Sequence, residues 1–165
     1  MAPDTFEEDF RDMLSLLNSN GVEFLVVGAH ALAANHLPRA TADLDLFVRP
    51  SQENAKRVIA ALREFGAPLH GVTADDFSTP DVGLHIGAPP GRIDLLTTIS
   101  GIDFENAASD AVSTFLLGVG VRALSIRALI QNKSNTGRSK DLEDVQRMRE
   151  RQRDQRDLDA HLDDV

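Results

Sequence analysis

Apolar positions follow two periods along the chain, and each marks a different element. Phe6, Phe10, Met13, Leu14 and Leu17 recur at helical spacing. Pro3, Asp4 and Thr5 open this predicted helix, with Glu8 completing a capping box three residues after Thr5. Asn18, Asn20 and Gly21 close it. Residues 22–27 are almost unbroken in apolar character, the mark of a buried strand, and Gly28 ends it. The Ala-rich stretch 29–36 predicts one or two helical turns before Pro38. Residues 43–48 alternate as Asp, Leu, Asp, Leu, Phe, Val and predict a second strand. Pro50 and Ser51 then open a helix whose apolar stripe is Val58, Ile59, Leu62 and Phe65.

The second half is more broken. Residues 66–80 are rich in turn formers and predict a loop holding a short helical turn. Residues 82–86 and 92–97 flank Gly87-Ala88-Pro89-Pro90-Gly91, the pattern of a hairpin with a longer loop. A short helix is expected at Phe104–Ala108 and a short strand at 119–124. Ser125 caps a helix that turns Ile126, Leu129 and Ile130 inward. Ser139 caps another that turns Leu142, Val145 and Met148 inward. No apolar residue occurs from Arg149 to Asp157, so that helix must run into solvent or fray. The order α-β-α-β-α, loop, β-β-β, α-α predicts an α+β (compact α/β) fold, a small mixed β-sheet with helices packed on it. No repeat or linker divides the chain. A single domain over 1–148 with a charged C-terminal helical extension over 149–165 is the expected organisation.

Composition narrows the function classes. The 165 residues suit one domain of about 100–200 residues. No apolar run approaches the ~20 residues of a membrane span. The acidic opening MAPDTFEEDF lacks the basic and apolar regions of a secretory signal, so a cytoplasmic location without membrane association is expected. Without Cys there can be no disulfide, zinc-thiolate or thiol chemistry. Seventeen Lys and Arg against 26 Asp and Glu leave a formal charge of −9, which argues against a broad DNA-binding surface but permits a local basic pocket. With neither Trp nor Tyr, base stacking could come only from the eight Phe, most of them in apolar runs. Residues 138–165 hold 7 of the basic and 9 of the acidic groups, the densest charge in the chain.

Three acids sit inside apolar strand patterns. Asp43 and Asp45 stand two apart, so both project from one face of their strand while Leu44, Leu46 and Val48 project from the other. Asp94 lies between Ile93 and Leu95 on a separate strand. If the two strands are neighbours, three carboxylates converge. Such a cluster repels itself unless cations neutralise it, and Mg²⁺, a hard ion with open positions for phosphate oxygens, suits it. The alternative is that the acids face water from a half-exposed sheet. The spacing does not fit an EF-hand loop, and neither G-x-G-x-x-G nor G-x-x-x-x-G-K-[ST] occurs. Gly28, however, joins a buried strand to a short helix, a junction that lets backbone N–H groups approach an anion.

The stretch Phe24-Leu-Val-Val-Gly-Ala-His-Ala-Leu followed by Pro38-Arg-Ala-Thr-Ala-Asp-Leu-Asp-Leu-Phe resembles the nucleotidyltransferase superfamily of polymerase-β-like fold. More narrowly, it is similar to the minimal nucleotidyltransferases of the AbiEii toxin type and their relatives. Gly28, Asp43, Asp45 and Asp94 match the superfamily motif in order and spacing. Arg39 and Thr41 fit the approach to the acidic pair. Lys133-Ser-Asn-Thr-Gly-Arg-Ser-Lys-Asp-Leu-Glu-Asp resembles the C-terminal block of those relatives. The resemblance covers residues 22–148. Ala29 departs from it, standing where Gly or Ser is usual; it stays small but brings neither a hydroxyl nor glycine's freedom at positive φ.

The resemblance implies an enzyme that moves a nucleoside monophosphate from an NTP to an acceptor hydroxyl. Asp43, Asp45 and Asp94 would be catalytic and would hold two Mg²⁺ (or Mn²⁺) ions, with Asp94 also helping to deprotonate the acceptor. Gly28 and Ala29 would cradle phosphates, and Lys133, Arg138 and Lys140 would neutralise phosphate charge. Those three cations could equally be a basic connector over a helix C-terminus. Asp141 and Asp144 either orient the cations or occupy a helix first turn, the second being the expectation for Asp141. Among histidines, His30 is close enough to the glycine turn to touch a phosphate. His36, His70, His85 and His161 are scattered without metal spacing. The acceptor could be RNA such as tRNA, a protein or a small molecule, and a cognate toxin or antitoxin could be a partner. The rival expectation is a non-catalytic nucleotide-binding or interaction module on the same fold.

Overall fold

A computed structural model describes residues 5–163, so the predicted helix opening at Pro3 and Asp4 lies outside the described residues. The chain forms α1 (Thr5–Ser19), β1 (Phe24–Val27), α2 (Gly28–Ala34), β2 (Leu44–Val48), α3 (Gln52–Phe65), α4 (Ala74–Phe77), β3 (Gly83–Ile86) and β4 (Ile93–Leu96). It continues through α5 (Phe104–Ala108), β5 (Val112–Leu116), β6 (Val119–Ala123), α6 (Ile126–Ser134) and α7 (Ser139–Asp163). The six strands make one mixed sheet in the order β3-β4-β2-β1-β6-β5. The α+β expectation therefore stands.

The two central strands explain their own composition. All four residues of β1 are buried, as are Leu44, Leu46, Phe47 and Val48 of β2. A strand buried on both faces reads as a continuous apolar run, and Asp45 is the one interruption. Helix α3 starts where the Ser51 hydroxyl accepts the Asn54 N–H, and stops at Gly66 in the left-handed region at φ 82°. Buried Asn54 fastens that helix to the sheet: its amide group accepts from Glu23 N–H at 2.7 Å and donates to the carbonyls of Glu23 and Arg49. The far ends of β1 and β2 are thus fixed, which holds their other ends, at Gly28 and Asp43, in register.

Three local expectations need correction. Strand β5 was not anticipated. Its residues alternate half-buried and exposed, and it pairs with β6 through a turn at Leu117 and Gly118, both at positive φ (51° and 79°). A two-residue hairpin of this kind normally advertises itself as Asn-Gly or Asp-Gly; Leu117 hides it. Leu142 does not point inward but is half exposed, and Asp141 and Asp144 take the buried positions beside Val145 and Met148. Ser139 is inside α7 rather than its cap, since the Arg138 carbonyl accepts the Leu142 N–H. The helix then continues as one piece to Asp163 instead of fraying. Among the described residues no helix is long and apolar enough to cross a membrane.

Candidate active site

The register of the sheet builds the site. Strand β2 runs parallel to β4, with Asp45 opposite Asp94; β4 runs antiparallel to β3, with His85 opposite Asp94; and β1 sets Val27 opposite Asp45. His85, Asp94, Asp45 and Val27 therefore form one row across four strands and share a face. Just before the two parallel strands begin, Asp43 and Arg92 stand two residues ahead of Asp45 and Asp94, beside this row. The Thr41 hydroxyl accepts the Asp43 N–H at 3.1 Å and steadies the entry to β2.

Gly28 closes the end of this row. Its φ is 67°, and a Cβ there would fall 2.6 Å from Asp45 Oδ2. The glycine is needed both for its left-handed backbone and for the space the carboxylate fills. The positive φ falls on Gly28 and not on Ala29, so Ala29 is not required to adopt a glycine-like backbone at its position. Gly28, Ala29, Asp45, Asp94, His85 and Arg92 line an open cavity of about 890 Å³, and Arg39, Thr41, Lys133, Arg138, Lys140 and Asp141 form its opposite wall.

The row is short of positive charge. Burial first, then the closeness of Asp94 and the charges of Asp94 and Asp43, raise the Asp45 pKa to about 6 against the opposing pull of Arg92. Arg92 Nε stands 3.0 Å from Asp94 Oδ1, while its Nη2 is 3.9 Å from Asp43. His85 Nδ1 stands 2.6 Å from Asp94 Oδ1. Asp43 Oδ1 is buried with no hydrogen-bond partner among the described residues. No ready-made cage of three or more His, Asp or Glu groups exists among those residues. What exists is a carboxylate pair, Asp45 and Asp94, with a third carboxylate beside it and an oxygen left unpaired. That donor set is all oxygen and acidic, which fits a hard divalent cation.

The opposite wall is neutralised from within. Lys133 Nζ, at the end of α6, donates to Asp141 at 3.2 Å and to Asp144 at 3.1 Å, and all three side chains are nearly buried. Asp144 also binds Arg39, from the segment before β2, and Asp141 accepts from the Thr136 hydroxyl at 2.7 Å and Arg138 Nε at 2.8 Å. Burial would raise the Asp141 pKa, but Thr136, Lys133 and Arg138 outweigh it and hold it below the ordinary carboxylate value. Asp141 stands in the first turn of α7, as expected, and is a buried ion-pair partner there as well. Lys133 is likewise enclosed by carboxylates, whereas Arg138 is largely exposed and Lys140 has no ion-pair partner among the described residues.

The structure thus brings Gly28, Ala29, Asp45, Asp94, Lys133, Arg138 and Lys140 to one cavity, with Asp43 at its edge. His30 is not there. It packs edge-on against Phe10 at 6.2 Å, and burial lowers its pKa against the opposing pull of the Asp43 backbone. Sequence reasoning passed over His85 and Arg92. Arg92 carried a usable signal, since a residue two before Asp94 on a strand shares its face. His85 carried none, because the six-residue loop between β3 and β4 leaves the hairpin register open.

This fold is that of nucleotidyltransferases. The structure is similar to the Thermotoga maritima protein TM1012, described as a nucleotidyltransferase, with a TM-score of 0.57 and 14% identity over 89% of this chain and 94% of that one. It is also similar to the antibiotic-resistance factor ANT(2'')-Ia, with a TM-score of 0.56 and 14% identity over 99% of this chain and 97% of that one. The sequence itself matches, over residues 6–164, the family described as nucleotidyl transferase of unknown function (DUF2204), and the chain belongs to that family. No curated protein matches it by sequence.

Proposed function

We propose that the protein is a Mg²⁺-dependent (or Mn²⁺-dependent) nucleotidyltransferase that moves a nucleoside monophosphate from an NTP to an acceptor hydroxyl. The observation that carries this reading is the juxtaposition of Asp45 and Asp94 across parallel β2 and β4, at the mouth of the Gly28 turn. Asp43, Asp45 and Asp94 are the residues that would hold divalent cations. Cations bound there would neutralise charge on the attacking and leaving oxygens of an in-line displacement. Gly28 and Ala29 offer backbone N–H groups to the β- and γ-phosphates from one side. Arg138 and Lys140 offer positive charge from the other, with Lys133 behind them. The acceptor oxygen bonds to the α-phosphorus as the bond to pyrophosphate breaks, and Asp94 takes the hydroxyl proton. Within the superfamily, the glycine turn, the acidic pair and the block from Lys133 to Asp144 support kinship with AbiEii-type enzymes, with tRNA or another RNA, a protein side chain or a small molecule as acceptor and a toxin–antitoxin partner. A cytoplasmic setting fits an NTP substrate.

A non-catalytic binding module is the second reading, and one observation favours it: Arg92 and His85 already engage Asp94. Incorporation of α-labelled NTP into total RNA and protein of a bacterial lysate separates the two. Wild type should label an acceptor, and Asp94→Asn should lower the rate by about 10²–10³ while retaining NTP binding. Ala29→Ser, which restores a hydroxyl beside the phosphates, should label at least as well as wild type. Labelling that Asp94→Asn leaves undiminished refutes the catalytic role of Asp94. Failure of both wild type and Ala29→Ser with all four NTPs favours the binding module.

A further inference from the structure

The last part of α7 is built to meet something. Its buried residues are Asp141, Asp144, Val145 and Met148, and every residue from 153 to 163 is exposed. Asp141, Asp144 and Met148 are spaced three and four apart. The same alternation continues without a break through Arg151, Gln155, Leu158 and Leu162. A seam with this spacing is what one helix presents to another. Its first half lies on the protein's own interior; Arg151 is half-buried at the boundary, and beyond it Gln155, Leu158 and Leu162 are exposed, the two leucines 58% and 75%.

Charge along this segment is polarised. Residues 147–153 carry four Arg and one Glu, whereas residues 154–163 carry four Asp and one Arg. Acids crowding the last turns oppose the helix dipole, which favours cations there. The arrangement therefore does not serve α7 as a lone helix. It does serve two copies laid antiparallel, which set the basic half of each against the acidic half of the other.

We propose that the exposed part of α7 pairs antiparallel with the same segment of a second copy of this chain, forming a two-fold symmetric dimer. Seam positions then meet in layers: Leu158 against Gln155 of the second copy, and Leu162 against Arg151. Asp159, one turn before Leu162, comes within reach of the same arginine. Arg151 and Gln155 border a cavity of about 650 Å³ whose lining mixes apolar Ala34, Val112 and Ile126 with polar residues such as Asn35, and it leaves room for the incoming leucines. The paired segments, residues 151–162, are roughly 18 Å long at 1.5 Å per residue. Their contact is smaller than the roughly 1,200–2,000 Å² of a stable complex, so assembly depends on concentration.

Light scattering with size exclusion, and sedimentation equilibrium over a wide concentration range, test this on the full chain. Wild type should move with concentration from 18.0 kDa towards twice that mass. Leu158→Glu/Leu162→Glu should stay monomeric, with unchanged circular dichroism because both leucines are exposed. Arg151→Glu alone and Asp159→Arg alone should each weaken the dimer at least tenfold, and the two together should restore it. That rescue distinguishes antiparallel from parallel pairing, where positions 151 and 159 never meet. A wild type that is monomeric throughout overturns the proposal. So does a dimer that survives the double leucine change, or a combined charge swap that fails to rescue.

Discussion

Two groups of aspartates, one half-buried around Asp94 and one buried, face each other across one cavity, and they are handled in opposite ways. On the sheet, Asp45 and Asp94 stand in one row with Asp43 close by, and Arg92 is the cation set between them. On the helices, Asp141 and Asp144 are met by Lys133, Arg39, Arg138 and the Thr136 hydroxyl. The consequence is a pKa raised in Asp45 and lowered in Asp141. Burial alone would have raised both. The helical group is a closed ion-pair network that fastens α6 and α7 to the segment before β2. The sheet group remains short of positive charge, and that shortage is what a cation-binding site requires before its ligand arrives.

Removing Lys133 breaks the helical network most severely. Lys133→Met keeps the length of the side chain but leaves two buried carboxylates with Arg39 and Arg138 as their remaining cations, beside the Thr136 hydroxyl. Loss of one member of a buried ion pair costs about 3–5 kcal/mol. Urea denaturation at neutral pH should register a loss in that range. A loss under 1 kcal/mol would mean that the network does not fasten the helices.

The sheet group should respond with the opposite sign. In the unfolded chain Asp45 loses its proton near the ordinary value of 3.8, whereas in the folded protein it keeps it to about 6. Between those values folding takes up a proton, so this group's contribution to stability falls as pH rises, and the full penalty applies above about pH 6. Asp45→Asn should therefore stabilise the metal-free protein at pH 7.5, on the order of 1–2 kcal/mol, and give no gain below pH 4. Asp141 behaves conversely: its contribution is present above the ordinary carboxylate pKa and is lost as pH falls through its lower folded value. Asp141→Asn should thus destabilise at pH 7.5. Adding Mg²⁺ should raise the wild-type Tm more than that of Asp45→Asn. Equal signs for the two asparagine variants at pH 7.5 would erase the distinction.

How much of this was legible in the chain follows from what each feature depends on. The glycine turn and the acids at 43, 45 and 94 were visible because local pattern shows them: a charged residue within an apolar strand, and a glycine at a strand-to-helix junction. That Asp45 and Asp94 adjoin was visible only as a condition, since it depends on β4 crossing to lie beside β2. The His85 contact depends on hairpin register and left no trace. On the helices the error was one of sign. Apolar spacing with Val145 and Met148 points Leu142 inward, but Asp141, one position earlier, takes the buried place once Lys133 and Arg138 are there to receive it. Ion pairs between α6 and α7 are tertiary facts, and apolar periodicity does not report them.

The smallest effect sharpens that point. If the ion-pair network rather than apolar burial sets the rotation of α7, Leu142 contributes little, since it is 51% exposed while Val145 and Met148 are 5% and 0%. Leu142→Gln should change stability by no more than about 0.5 kcal/mol, the range of ordinary surface substitutions. Met148→Ala, on the same helix, should cost about 2–5 kcal/mol, because it empties a filled interior position. Both can be read from denaturation midpoints at constant slope. A Leu142→Gln loss comparable to that of Met148→Ala would mean that α7 is rotated towards its apolar stripe. Asp141 would then turn away from Lys133, and the contrast between a neutralised wall and an acidic one would lose its structural basis.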